Sequence, residues 1–219
     1  MTGPDGAAVG AAGSDAPIFL PGASADLIET AGRFPLKPGT RLGPGDWVGA
    51  AVDYDRLPWR LVPLWDRRDA AIEEAARGFW VGHGFLTLGQ AEARLPELVT
   101  VAFAGNAVAG VATAYEGAIE GMPGRYAFYR NIVAPDQRRG HLGLVLTGYS
   151  RMQVERWAAE HPERGVLGMA ATVQQAVFNP HHAKPVWPMA NLNLIARLAD
   201  GGHLRIAWFP AARLAANAA

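Results

Sequence analysis

The chain changes its hydrophobic period abruptly between residues 133 and 142. The segment 126–133 (YAFYRNIV) predicts a strand, whereas from Leu142 to Glu160 apolar residues recur at helical spacing. Between them lies a short loop that contains Arg138 and Arg139. Backbone N–H groups of such a loop, together with the N-terminus of the helix, form a site for phosphate oxygens. The segment therefore predicts a strand, an anion-binding loop and a helix in direct succession.

The segments on either side predict the rest of a mixed sheet. Pro63 marks an edge strand, Asp66 could cap the helix after it, and Gly105-Asn106 is typical of a hairpin. The remaining elements are expected as a strand at 59–65, helices at 67–80 and 90–95, strands at 98–104 and 107–115, a buried strand at 165–173 and a closing hairpin at 191–198 and 203–209. This order predicts an α/β domain with a mixed sheet, in which the buried strand has a parallel neighbour.

The first quarter of the chain differs from the rest in its composition. Residues 1–16 are small and featureless, so we expect a disordered tail. Residues 17–58 alternate apolar anchors with glycine and proline, and they contain a helix at about 23–31 capped by Ser24 or Asp26. We interpret 17–58 as an ordered N-terminal arm over the core of a single domain at 59–212.

Composition excludes several classes of function. The chain has 219 residues, with 20 basic and 20 acidic side chains, so no net charge favours nucleic acid or an anionic membrane surface. The absence of cysteine excludes disulfides, thiolate metal sites and a cysteine nucleophile. No apolar run is long enough to span a membrane, and the N-terminus lacks the basic residues of a secretory signal. We therefore expect a cytoplasmic protein.

The segment 132–146 resembles the signature of the GNAT superfamily of acyl-CoA-dependent N-acyltransferases. Val133, Pro135, Arg138 and Gly143 stand in register with that signature, and the order of elements from residue 59 to residue 209 is similar. The resemblance implies a GNAT-like fold in which the parallel strands 126–133 and 166–173 splay apart. An acetyl-CoA or other acyl-CoA cosubstrate would lie between them. The residues that would bind it are Ile132, Val133, Arg138, Arg139, Gly140, His141, Leu142 and Gly143.

His141 departs from the signature, because it occupies the position of the first glycine. We expect a helical backbone there, since non-glycine residues with positive φ are uncommon. In that conformation the imidazole could add a hydrogen bond to the cofactor. A positive φ would instead alter the loop and bring cofactor binding into question.

Acylation of an amine needs a base for the amine, a donor for the carbonyl oxygen and a proton for the leaving thiolate. The resemblance implies that a backbone N–H at a strand bulge near Val133 is the donor. Some family members carry a glutamate where this chain has Ala127, and the usual tyrosine acid has no counterpart. Tyr129, His181 and Glu116 are the candidate catalytic residues, although a packed tyrosine, a surface turn and a solvated charge are the ordinary interpretations.

The expected function is acyl transfer, most simply acetyl transfer, to an amine of a small molecule or peptide by direct attack in a ternary complex. No metal is expected, because the pair His181-His182 has no third ligand at a suitable spacing. Two alternatives stay open. The fold could bind a ligand without catalysis, or the arm could mediate assembly, for example as a homodimer.

Overall fold

The computed structural model describes residues 17–173 and 183–212 of the chain. The expected tail at 1–16 lies outside these ranges. In chain order the elements are β1 Ile18–Phe19, α1 Ala25–Ala31, β2 Arg41–Leu42, α2 Val48–Ala51, β3 Arg60–Pro63, α3 Ala70–Gly82, α4 Leu88–Arg94, β4 Leu98–Ala104, β5 Ala107–Gly117, β6 Arg125–Val133, α5 Leu142–Glu160, β7 Val166–Val173, β8 Val186–Trp187, β9 Leu192–Arg197 and β10 His203–Trp208. Single 3-10 turns include Leu95–Glu97 and Pro135–Gly140.

An eight-stranded mixed sheet organises the molecule, with the strand order β3-β4-β5-β6-β7-β10-β9-β8. Its neighbours are antiparallel except for β6 and β7, which run parallel. Helix α5 connects these two strands, as a parallel pair requires a crossover. The predicted α/β class and order of elements are therefore confirmed, including the edge position of β3.

Helices cover both faces of the sheet. On one face, α3 and α4 pack on β4 and β5 through a cluster that includes Phe79, Trp80, Ala91 and Val101. On the other face, Leu142, Val145 and Leu146 of α5 share the largest core cluster with strand residues of β5, β6 and β7. The connection between β6 and α5 thus lies at the C-terminal end of β6, where it can face the space between the two parallel strands.

The N-terminal arm belongs to the same core as α5. Its residues Leu27, Ala31, Phe34, Leu36, Leu42, Val48 and Val52 are buried in that cluster. Two backbone hydrogen bonds fix α2 to the segment before β9, from Val48 to Pro188 and from Gly49 to Met189, each 2.9 Å long. Since α2 also packs on α5, the arm braces the helix that follows the basic loop.

One predicted helix start is wrong. Asp66 does not cap a helix that begins at residue 67, because its φ of 56° places it in the left-handed region. Helix α3 begins at Ala70 instead, and the Asp69 carboxylate accepts hydrogen bonds from the N–H groups of Ala71 and Ile72. Two Asp residues lie close together in this stretch, and composition alone does not decide which one has the extended backbone of a cap.

Candidate functional site

The parallel strands β6 and β7 separate before they end. Their pairing stops at Tyr129 and Ala171, although β6 continues to Val133. Thr172 and Val173 of β7 pair only with β10. Among the described residues, no strand pairs with this edge of residues 130–133, and we call the space between the edge and the end of β7 the gap.

Two backbone N–H groups of β6 point into the gap. The N–H of Ala134 donates to the carbonyl of Ala109 beside β5, at 2.9 Å. Because backbone groups alternate along a strand, the N–H groups of Asn131 and Val133 face away from β5. The expected bulge near Val133 is absent, since β5 and β6 pair without a register shift from Gly117–Tyr126 to Gly110–Val133. The regular alternation of backbone groups along β6 leaves the N–H of Val133 facing away from β5, so a backbone donor is present there without a bulge.

The expectation of a helical backbone at His141 is wrong. Its φ is 63° and its ψ is 18°, which is the left-handed region. The 3-10 segment ends at Gly140 and α5 begins at Leu142. His141 is therefore the residue at which the chain changes direction between the two helical segments. Histidine is among the non-glycine residues that tolerate this conformation best. We expected a positive φ to alter the loop, but it is a conformation that a glycine adopts readily, so His141 gives the loop the backbone that a glycine there would allow.

This conformation leaves a row of backbone donors without acceptors. The N–H groups of Leu144 and Val145 both bond to the carbonyl of His141. For the N–H groups of His141, Leu142 and Gly143, no acceptor occurs among residues 17–173 and 183–212. A right-handed residue followed by a left-handed one forms a concave nest of N–H groups that binds anions, and the N-terminus of the 19-residue helix α5 adds its dipole.

Contacts from distant parts of the chain hold the loop in place. The Trp59 indole donates to the amide oxygen of Gln137 at 3.1 Å. A Cβ at Gly140 would lie only 2.9 Å from the same indole ring. The ring of Phe34 in the arm meets His141 edge-on, with 6.3 Å between ring centroids. Trp59, which directly precedes β3, and the arm therefore both support the loop.

A cavity of about 470 Å³ joins the gap to the loop. Its lining residues are Phe85, Asn131, Ile132, Val133, Arg138 and Gly143. Four of these belong to the eight residues predicted to bind the cofactor. The others of that set have different positions: Leu142 is buried, Gly140 packs on Trp59, His141 on Phe34, and Arg139 is exposed outside the cavity.

The sequence analysis missed Asn131 as a site residue. Its side-chain amide lies 2.9 Å from the Tyr129 hydroxyl, 3.1 Å from the Gly143 carbonyl and 3.2 Å from the Thr147 hydroxyl. It thus fastens the open edge of β6 to the first turn of α5. The alternation of residues 129, 131 and 133 along one face of a strand is the signal that could have indicated it.

Tyr129 lies beneath α5 and does not line the cavity. Its side chain is 5% exposed, and burial raises the pKa of its hydroxyl to about 12. The hydroxyl accepts a hydrogen bond from Asn131. Asn131 therefore lies between the Tyr129 hydroxyl and the gap.

Glu116 lies on the neighbouring strand β5, away from the gap. It pairs with Arg125 and Arg164 and stands opposite Ala127. Ala127 precedes Asn131 by four residues, or about 13 Å along a strand. His181, the third candidate, lies outside the described residues. Neither Tyr129 nor Glu116 reaches the cavity.

Metal sites and membrane spans find no support in the described part of the chain. Within residues 17–173 and 183–212, no group of three or more His, Asp or Glu side chains is arranged to hold a metal ion. Over the same ranges, every helix is too short or too polar to cross a bilayer.

Comparison with known proteins gives similarities to solved structures only. No protein-family profile matches the chain, and no curated protein does. An acetyltransferase of the GNAT family from Streptococcus pneumoniae aligns with a TM-score of 0.45 and 13% identity, over 69% of this chain and 99% of the other. The ribosomal-protein-S18-alanine N-acetyltransferase from Escherichia coli aligns with a TM-score of 0.42 and 14% identity, over 74% and 98% of the two chains. At this level of similarity, a function has to be inferred from the contacts within this chain.

Proposed function

We propose that the protein is an acyl-CoA-dependent N-acyltransferase, which transfers an acetyl group to an amine of a small molecule or peptide in a ternary complex. One observation carries the proposal: beside a gap between parallel strands lies a nest of three N–H groups that have no acceptor among the described residues, and two strand N–H groups point into that gap. The first feature fits an anion and the second fits a polarised carbonyl.

The residues present fit an acyl-CoA. The nest at 141–143 would receive pyrophosphate oxygens, and Arg138, which lines the same cavity, would add a charge-assisted hydrogen bond. The guanidinium of Arg138 donates through Nε to the carbonyl of Val133, at 3.3 Å, and its remaining donors, which have no partner in the part of the chain that the structure describes, can face a ligand. The cosubstrate supplies an acyl group activated as a thioester.

Residues of this chain would orient the acyl group and stabilise the negative charge that develops on its oxygen. The N–H groups of Asn131 and Val133 would donate to the acyl oxygen, where negative charge develops as the amine nitrogen attacks. A C–N bond forms and the C–S bond breaks; the amine loses one proton and the thiolate gains one. Tyr129 would act as a positioning residue through Asn131. His181 stays a prediction for the proton transfer.

A second candidate function is ligand binding without turnover. The observation in its favour is that Tyr129 is buried and Glu116 is held by two arginines, so neither can exchange a proton with a substrate in the cavity. In this case the fold keeps the cofactor site and lacks the acid and base.

Calorimetric titration with acetyl-CoA and with CoA tests the proposed site. We expect saturable binding of both, and about tenfold weaker binding for Arg138→Ala, because one charge-assisted hydrogen bond is lost. Arg156→Ala is the matched control, since Arg156 lies near the far end of α5, outside the cavity and the loop, and its loss should leave affinity unchanged. Equal affinities of Arg138→Ala and the parent protein would disprove the assignment of the loop.

Release of free thiol from acetyl-CoA in the presence of a panel of amines then separates the two candidate functions. Turnover with any amine supports the transferase. Binding of acetyl-CoA with no thiol release across amino acids, polyamines, amino sugars and peptides would support ligand binding alone.

A further inference from the structure

A second charged site lies on the opposite side of the gap from the loop. Arg130 is the first residue of β6 beyond the last pair with β7. Side chains alternate along the strand, so Arg130 points away from Asn131 and from α5. It contacts Glu97, in the 3-10 turn that follows α4. An acceptor that approaches the gap from the α4 face would therefore pass Arg130.

This site holds more positive than negative charge. The guanidinium of Arg130 pairs with the carboxylate of Glu97, yet its Nε is buried and has no hydrogen-bond partner among the described residues. Arg94, at the end of α4, makes no side-chain hydrogen bond or ion pair within those residues. Burial, and then the charge of Arg130, lower the pKa of Arg94. Arg94 directly precedes the 3-10 turn that contains Glu97, so two arginines, which stay protonated in proteins, lie near one carboxylate, and the ion pair joins that carboxylate to Arg130.

An aromatic surface lies next to the two arginines. The Arg130 guanidinium carbon is 5.1 Å from the centroid of the Tyr115 ring, and that ring is stacked on Phe128 at 5.2 Å. Tyr115 is 42% exposed and the Arg130 side chain 37%. A ligand can therefore reach both the charge and the ring from solvent.

We propose that Arg94 and Arg130, beside the ring of Tyr115, bind a carboxylate of the acceptor, so that the acceptor is an amine that carries a carboxyl group, such as an amino acid. The inference rests on the proposed function, because it assigns the substrate class of that site. A carboxylate fits this site because its two oxygens match the planar guanidinium, as in the ion pair that Arg130 forms with Glu97, and the comparison with phosphoethanolamine below separates it from a phosphate. With its carboxylate bound there, the amine can extend toward the gap.

The test compares amino acids with their carboxamides, which differ only in the charged group. Both series are measured by thiol release from acetyl-CoA and, independently of turnover, by calorimetric binding to the protein with and without CoA. We expect one or more amino acids to bind and react, with a kcat/KM about 10- to 100-fold above that of the matching carboxamide. Equal values for the acid and the carboxamide would overturn the inference.

Variants then assign the effect to the two arginines. Arg94→Gln and Arg130→Gln should each lower kcat/KM for the amino acid about 10- to 100-fold, through KM, and leave the carboxamide and the affinity for CoA unchanged. Arg125→Gln, at the other end of β6, is the matched control. Arg130→Lys keeps the charge but lacks the planar guanidinium, so its kcat/KM for the amino acid should lie between those of the parent protein and Arg130→Gln. A loss that is equal for acid and carboxamide would indicate a structural role and would overturn the inference.

Two further outcomes separate this inference from the proposed function. If CoA binds but no amino acid binds or reacts, the inference fails and the acyl-CoA site stands. If neither CoA nor acetyl-CoA binds, the proposed function fails by itself. Phosphoethanolamine is the probe for a different anion: a response equal to that of the amino acids, with the same losses in the variants, would overturn the assignment to a carboxylate.

Discussion

His141 shows at the scale of one residue how a departure from a signature can keep its geometry. Its backbone is left-handed, as a glycine would be, and the carbonyl of His141 accepts the first two hydrogen bonds of α5. We expect His141→Gly to change the free energy of unfolding by less than about 1 kcal/mol, since relief of strain offsets the added freedom of the unfolded chain.

A β-branched residue at the same position should behave differently. His141→Val should destabilise the protein by about 1–2 kcal/mol and weaken CoA binding, because valine strongly disfavours positive φ. Urea unfolding and calorimetry measure the two effects. Arg197→Val is the control, because Arg197 is an exposed residue of strand β9, where the backbone suits valine. A fully stable His141→Val protein with normal CoA affinity would show that the nest does not depend on this conformation.

Tyr129 gives a pH dependence with a defined sign. Burial raises its pKa to about 12, whereas in the unfolded chain it titrates near 10. Its contribution to stability is therefore complete below pH 10 and is lost between pH 10 and 12, because only the unfolded state releases the proton there. We expect the free energy of unfolding of the parent protein to fall more steeply over this interval than that of Tyr129→Phe, by up to about 2 kcal/mol. Identical slopes in urea titrations at pH 9, 10 and 11 would contradict the burial of this hydroxyl.

The site residues differ in how far the sequence could predict them. Val133, Arg138 and Gly143 were predicted because their chemistry and spacing lie in one continuous segment, and all three line the cavity. Phe85 could not be predicted in this way, because it comes from the connection between α3 and α4 and reaches the gap only through packing. The pairing of Arg130 with Glu97 is equally non-local.

At the scale of elements, the contact between α2 and α5 depends on two glycines. A Cβ at Gly49 would lie 2.5 Å from the carbonyl oxygen of Met189 and 3.0 Å from Cα of Gly148, which are both backbone atoms. We expect Gly49→Ala to destabilise the protein by about 1–3 kcal/mol, because the two helices must move apart. Since α5 carries the nest at its N-terminus, CoA binding should weaken as well.

Gly78→Ala is the matched control for this contact. It lies within α3, and nothing stands within 4 Å of the position a Cβ would take. Alanine should stabilise this helix by about 0.5–1 kcal/mol and leave CoA affinity unchanged. If both alanine variants raised stability in thermal or urea unfolding, the close approach of α2 and α5 would be refuted.

Elements were predicted best where the local signals agree. The bounds of α5 are those expected from its apolar stripe, and the hairpin of β4 and β5 turns at Gly105-Asn106 as expected. The two-residue strand β8 was not predicted, because so short a strand forms through pairing with β9 and not through its own propensity. The 3-10 segment Pro135–Gly140 begins at a proline, and Trp59 contacts it from a distant part of the chain.

At the scale of the whole molecule, the arm and the sheet share one core. The sequence shows the arm's apolar anchors but not their partners, because Leu42 and Val48 meet α5 and the segment before β9 from far along the chain. An arm whose main role is assembly would instead leave a folded domain when it is removed. The two possibilities therefore differ in what truncation does to the rest of the protein.

A chain that begins at residue 59 should not fold to the native state. It would lack six large buried apolar side chains of the main core cluster, each worth about 1.5–3 kcal/mol of burial, against a total stability of about 5–15 kcal/mol. We expect loss of the cooperative unfolding transition and of CoA binding, measured by circular dichroism and calorimetry. Val48→Ala, a milder change in the same contact, should stay folded and lose about 1–2.5 kcal/mol. A truncated chain that unfolds cooperatively, binds CoA and changes only its oligomeric state would favour assembly as the role of the arm.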